Sequence, residues 1–213
     1  MLNVELFITF LLAACVVIAA PGPDSLNTLA IGMSRGRREA VAYAVGVGIG
    51  CLTHTLWAVL GISAIVAASE TLFGVVKWVG VTYLLWLGVQ ALRNRGAMRA
   101  SDADAAVQVP IGASTRVLQG ALTNALNPKV MLFFMAFLPQ FADPRLGAVG
   151  AQMLVMGLAF AVITTIAYAL LGASAGRLGE RLLRKPSIGQ RLNRATGMLF
   201  IALALRLMLA ERA

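Results

Sequence analysis

The chain has 213 residues, of which 59% are hydrophobic and 13% are charged, and its formal net charge is +9. Soluble domains contain about 25% charged residues, so this composition excludes an ordinary soluble domain and favours a membrane protein. The positive charge does not indicate a nucleic-acid-binding surface, because Arg and Lys lie in short links between long apolar blocks.

Six apolar blocks predict an all-α membrane protein with six transmembrane helices. The blocks cover residues 4–33, 40–68, 72–92, 117–141, 146–174 and 192–210. A straight span needs about 20 residues, so the first two blocks are long enough to tilt or break. Because residues 1–10 contain no Lys or Arg, we interpret the first block as a retained helix rather than a signal peptide.

The first block contains the run Pro21, Gly22, Pro23 and Asp24. A proline inside a helix removes an amide donor and clashes with the carbonyl four residues earlier, so we expect a helix break here. Freed carbonyls need polar partners in lipid, and Asn27 is near enough to be one. Asp24 would begin a new half-helix, where it either caps that half-helix or binds a substrate ammonium group or a proton.

Two polar candidates lie in the second and third blocks. Gly46, Gly50 and His54 recur every four residues, and small residues at this spacing let helices pack closely. His54 therefore faces the bundle, either as a packing residue or as a proton carrier, since histidine titrates near neutrality. Tyr83 is the candidate in the third block.

A polar linker at residues 94–115 divides the single domain 1–213 into two halves, 1–93 and 116–213. Arg and Lys are concentrated in the links after the first, third and fifth blocks, which predicts that these links are cytoplasmic and that both termini are periplasmic. Residues 53–64 and 164–175 are identical at half of their aligned positions. An odd number of spans in each half predicts an inverted repeat.

The fourth block repeats the helix-breaking pattern with Asn124, Asn127, Pro128 and Lys129. Pro128 should free the carbonyl of Asn124. Lys129 would lie in the first turn of a half-helix, where a cation opposes the helix dipole and needs an anion nearby. We predict that Asp24 and Lys129 approach each other or bracket one zwitterion. The alternative is a structural ion pair that holds two helices together.

Several motifs resemble the LysE/RhtB-type amino-acid exporters, and the resemblance covers essentially the whole chain. It is carried by Ala20–Asp24, Gly36–Arg38 and the run Asn127–Phe141. It implies secondary active efflux, without ATP, of amino acids or close derivatives across the bacterial inner membrane, driven by the proton gradient. The RhtB branch is the most similar, which implies substrates such as homoserine, its lactone, threonine or leucine. Glu39 and Ala40 depart from the pattern, which has Ala-Gly there.

Two other classes of function remain as alternatives. The first is a metal or inorganic-ion carrier of related fold, although one histidine and two separate cysteines, Cys15 and Cys51, do not suggest a metal site. The second is a membrane enzyme or a non-transport assembly subunit, although no HExxH or P-loop motif is present. We predict no cofactor and no nucleic-acid partner; a homodimer is compatible with the small-residue faces.

Overall fold

The computed structural model describes residues 2–68, 70–93 and 112–175, and single positions between 190 and 208. All regular structure in these residues is helical, which confirms the all-α prediction for this part of the chain. The helices are α1 (Val4–Ala19), α2 (Pro23–Ser34), α3 (Arg37–Ala68), α4 (Glu70–Arg93), α5 (Ala113–Ala125), α6 (Pro128–Phe137) and α7 (Val149–Ala173). Two 3-10 helices, Leu138–Phe141 and Pro144–Leu146, connect α6 to α7.

Two helices in the described residues are long and apolar enough to cross a membrane, namely α7 and the part of α3 from Arg37 to Gly61. Two bent pairs, α1 with α2 and α5 with α6, would bring the number to four if each pair forms one span. Most of the predicted linker, residues 94–111, lies outside the described residues. The predicted sixth block is described only at single positions, which are helical.

The chain bends by 54° between α1 and α2. Ala20 is extended with ψ 126, and Gly22 is fully extended with φ −170, so the helix ends and restarts within three residues. Pro23 is the first residue of α2, a position where its missing N–H costs nothing. The Ser25 hydroxyl closes the turn by accepting from Gly22 N at 3.0 Å and donating to Gly22 O at 3.1 Å.

A second bend of 54° separates α5 from α6. Pro128 again occupies the first helical position, and Asn127 is the N-cap residue, whose Oδ1 accepts from Lys129 N at 3.0 Å. The two breaks are therefore built in the same way, with a proline at the start of the second helix.

Helix α3 packs directly against α5 and α7. The approach to α5 depends on glycine, because a Cβ at Gly46 would overlap the Val117 carbonyl and a Cβ at Gly120 would overlap the Tyr43 carbonyl. A Cβ at Gly50 would lie only 2.7 Å from the Cβ of Asn124. This backbone contact brings the end of α5 against the middle of α3, as close small-residue packing does in membranes.

An ion pair joins the starts of α3 and α5. Arg116 Nε donates to Glu39 Oε2 at 2.8 Å, and Arg116 Nη1 donates to Gln119 Oε1 at 2.8 Å. Arg116 is fully buried, although the sequence places it among the charges of a link. Glu39, which departs from the family pattern, thus has a structural partner in this chain.

Candidate functional site

The carboxylate of Asp24 lies where the two helix breaks meet. Its Oδ2 accepts hydrogen bonds from Asn124 Nδ2 at 2.8 Å and from Asn127 Nδ2 at 2.7 Å. Asp24 is 1% exposed, and both asparagines are buried as well. The three residues connect the first turn of α2 with the end of α5 and the N-cap of α6, which form the second break.

The carbonyl that Pro128 frees is taken up by His54. A continuous helix would pair the Asn124 carbonyl with the amide four residues later, but Pro128 has no N–H. His54 Nε2 lies 2.8 Å from this oxygen, and because a carbonyl can only accept, Nε2 is the donor. Asn127 N donates to the same oxygen at 2.8 Å. His54 therefore completes the hydrogen bonding of the second break from α3.

Lys129 completes the hydrogen bonding of the first break. Its Nζ donates to Val17 O at 3.1 Å and to Ala20 O at 2.9 Å. Val17 O would pair with residue 21 in a continuous helix, but Pro21 has no N–H. A Cβ at Gly22 would lie 3.0 Å from Nζ, so the glycine leaves room for the lysine to reach these carbonyls.

Asp24 and Lys129 do not form a direct ion pair, which the sequence left open as the alternative to a shared substrate. Ion pairs join Arg116 to Glu39 and Arg145 to Asp143, and none among the described residues joins Asp24 to Lys129. The physical reason is that Lys129 has another partner of negative character, the carbonyl end of α1. The helix terminus that the break itself creates thus takes the place of the carboxylate that was expected as the counter-charge.

Two further predicted residues lie elsewhere. Asn27 donates from Nδ2 to Tyr43 Oη at 3.2 Å and does not bond a freed carbonyl of the break. Tyr83 is half-buried on α4, and its ring centre lies 5.5 Å from that of Trp86. Among the described residues, Tyr83 makes no hydrogen bond to the Asp24 network.

Tyr168 is a residue of the site that sequence reasoning did not select. Its hydroxyl donates to Ile18 O at 3.0 Å, so it caps the carbonyl next to the one that Lys129 caps. Ile18 O would otherwise pair with Gly22 N, but that amide donates to Ser25. The available signal was its spacing from Gly157, Ala161 and Thr164, which gives α7 a face of small and polar residues.

Within the described residues, no group of three His, Cys, Asp or Glu side chains could hold a metal ion.

Buried charged and amide groups at contacting helix breaks, inside a bundle of apolar helices, are features of membrane transport proteins. A family model described as LysE type translocator matches residues 15–211. The chain therefore belongs to the LysE family of translocators, which are membrane transporters rather than enzymes, and the resemblance read from its motifs is confirmed.

Curated relatives match along nearly their whole length. The chain is 32% identical to an uncharacterized membrane protein of Vibrio cholerae, over 99% of this chain and 100% of the relative. It is 30% identical to a leucine efflux protein of an Enterobacter strain, over 94% of each chain. It is 29% identical to a homoserine/homoserine lactone efflux protein of Salmonella typhimurium, over 98% of each chain. No solved structure matches this chain.

Proposed function

We propose that this chain is a secondary active exporter of amino acids or their derivatives across the bacterial inner membrane, driven by the proton gradient. Leucine, threonine, homoserine and homoserine lactone are the proposed substrates. The names of the relatives support this class, since they are a leucine efflux protein and a homoserine/homoserine lactone efflux protein. The observation that carries the proposal is the buried Asp24 carboxylate at the junction of the two helix breaks.

The proposed architecture has six spans in two inverted three-helix repeats, residues 1–93 and 116–213, joined by a cytoplasmic linker at 94–115. Both termini would be periplasmic. The alternation of Arg and Lys between successive links supports this topology. The shared construction of the two breaks, each with a 54° bend and a proline at the restart, supports the repeat.

The proposed mechanism is alternating access around the two breaks. A charge inside the membrane costs about 2.5–3.5 kcal/mol on insertion scales, so a buried carboxylate such as Asp24 is expected to have a functional reason. We assign to Asp24 the substrate ammonium group or the coupling proton. Each break is completed by a side chain of the other half, Lys129 for the first and His54 for the second. If one half moves relative to the other, the hydrogen bonds of both breaks must therefore rearrange.

The test is efflux of preloaded labelled leucine, threonine and homoserine from cells that express the chain, with and without a protonophore. The variants are Asp24→Asn and Lys129→Met, each compared at equal membrane level with wild type. Glu5→Gln is the matched control, because it makes the same change from carboxylate to amide at an exposed position in the first turn of α1.

We expect protonophore-sensitive efflux of at least one of the three compounds in wild type and in Glu5→Gln. Asp24→Asn should lose this efflux, since it removes the buried negative charge while keeping an acceptor for the two asparagine amides. Lys129→Met should lose it as well, since it removes the cation that completes the first break. Unchanged efflux in both site variants would contradict the proposed site. Efflux that resists the protonophore would contradict the proton coupling.

A further inference from the structure

Two buried oxygens in the site have no hydrogen-bond partner among the described residues. They are Oδ1 of Asp24 and Oδ1 of Asn124, and their side chains are 1% and 0% exposed. The orientation of the Asn124 amide is determined by its Nδ2, which donates to Asp24 Oδ2 at 2.8 Å. The reverse orientation would place two acceptors against each other. The unsatisfied groups are therefore both acceptors.

A positively charged donor is the chemical complement of these oxygens. A primary ammonium group carries three N–H donors and a charge opposite to that of the Asp24 carboxylate. A carboxylate offers only acceptors, so it would leave both oxygens without a donor and would add a second negative charge.

The cation of the site, Lys129, is already engaged. It donates to the carbonyls of Val17 and Ala20, at the end of α1. A substrate carboxylate that captured Lys129 would leave these carbonyls without their donor, because Pro21 has no N–H and the chain is extended at Ala20. Recognition of a carboxylate by this lysine thus breaks existing hydrogen bonds of the first break, whereas Asp24 Oδ1 has no hydrogen bond that an amine would have to replace.

We propose that the site recognises the free amine of its substrate and does not require the carboxylate. The substrate class would then be primary amines of the amino-acid type, including those whose carboxyl group is masked as a lactone, ester or amide. Amino acids with an acylated amine would be excluded. This inference rests on the proposed export function and specifies which group of the substrate the site recognises.

The test is competition with labelled leucine for uptake into everted membrane vesicles, in which export appears as uptake. Leucinamide keeps the amine and masks the carboxyl group; N-acetylleucine keeps the carboxylate and masks the amine. We expect leucinamide in large excess to reduce labelled uptake several-fold and N-acetylleucine to leave it unchanged. Competition by N-acetylleucine as strong as that by unlabelled leucine would overturn the proposal while leaving the export function intact.

A second measurement separates failure of this inference from failure of the export function. The purified full chain in detergent is heated with leucinamide or with N-acetylleucine, and the shift in its unfolding temperature is recorded, which requires no transport. An upward shift with leucinamide alone supports the proposal, even if none of the labelled amino acids is exported. Equal shifts with the two compounds, or none with either, overturn it. Asp24→Asn should lose the leucinamide shift, and Glu5→Gln should keep it.

Discussion

Replacing Tyr168 with Phe tests the capping of the first helix break most directly. The substitution removes one hydroxyl and retains the buried ring, so packing changes little. The hydroxyl is the donor to Ile18 O at 3.0 Å. The backbone amide that would serve this carbonyl in a continuous helix, Gly22 N, donates to the Ser25 hydroxyl at 3.0 Å instead. Ile18 O therefore loses its side-chain donor without a backbone replacement.

The expected cost follows from the burial of that carbonyl. Hydrogen bonds between helices in a membrane protein contribute about 0.6 kcal/mol on average and about 1.7 kcal/mol at most. A buried acceptor that loses its donor costs about 1–3 kcal/mol. Tyr168 is 4% exposed, so water cannot readily replace the hydroxyl. We expect the free energy of unfolding to fall by about 1–2 kcal/mol, a change of about 5–30-fold in the folding equilibrium.

The assay is reversible unfolding of the purified protein by SDS in mixed micelles, followed by far-UV circular dichroism. Tyr83→Phe is the matched control, because that tyrosine is half-buried and has a ring contact with Trp86 but no described hydrogen bond from its hydroxyl. Its free energy of unfolding should stay within about 0.5 kcal/mol of wild type. If the two tyrosine variants unfold alike, the capping of α1 by Tyr168 is refuted.

Three further predictions concern other parts of the chain. His54→Leu removes one of the two donors to the Asn124 carbonyl, and the Asn127 amide remains. The free energy of unfolding in SDS should therefore fall by only about 0.5–1 kcal/mol. A larger loss would contradict the sharing of this carbonyl by two donors. Gly120→Ala should sharply reduce the folded fraction in fluorescence-detected size-exclusion chromatography, because its Cβ would overlap a backbone carbonyl of α3. Gly74→Ala should not, because a Cβ there would meet nothing within 4 Å. Equal elution profiles for the two variants would refute the close contact between α3 and α5. Hydrogen bonds from Arg145 lower the pKa of Asp143 below its usual 3.8, so the ionised carboxylate stabilises the fold above about pH 4 and this contribution is lost as the pH falls through the lowered value. Asp143→Asn should flatten that part of the pH–stability profile measured by thermal unfolding, and an unchanged profile would argue against the pairing.

The helix breaks illustrate what local sequence can predict. Pro23 and Pro128 each occupy the first position of a helix, and the bends fall beside them. Proline acts through its own missing N–H and its own ring, so its effect needs no knowledge of the rest of the fold. The resemblance to the LysE family could likewise be read from short motifs, and the family model matches residues 15–211.

The partners of the freed groups could not be predicted in the same way. Lys129 was expected to need a carboxylate, yet it donates to Val17 O and Ala20 O. Tyr168 was not selected at all, although it caps Ile18 O from α7. These hydrogen bonds join residues more than 100 positions apart in the chain, so they depend on the packing of helices that are distant in sequence, such as α1 against α7.

The sequence by itself determined that this is an all-α membrane protein of the LysE family, and where the chain has to leave the helical path. Composition, charge distribution and proline placement suffice for the membrane class and the helix breaks, because each acts over one span or less, and short motifs carry the resemblance to the family. Tertiary structure alone decided that the Asp24 carboxylate takes the amides of Asn124 and Asn127 while Lys129 takes the end of α1. Every buried polar group must find a partner, and which partner is nearest depends on how the helices pack.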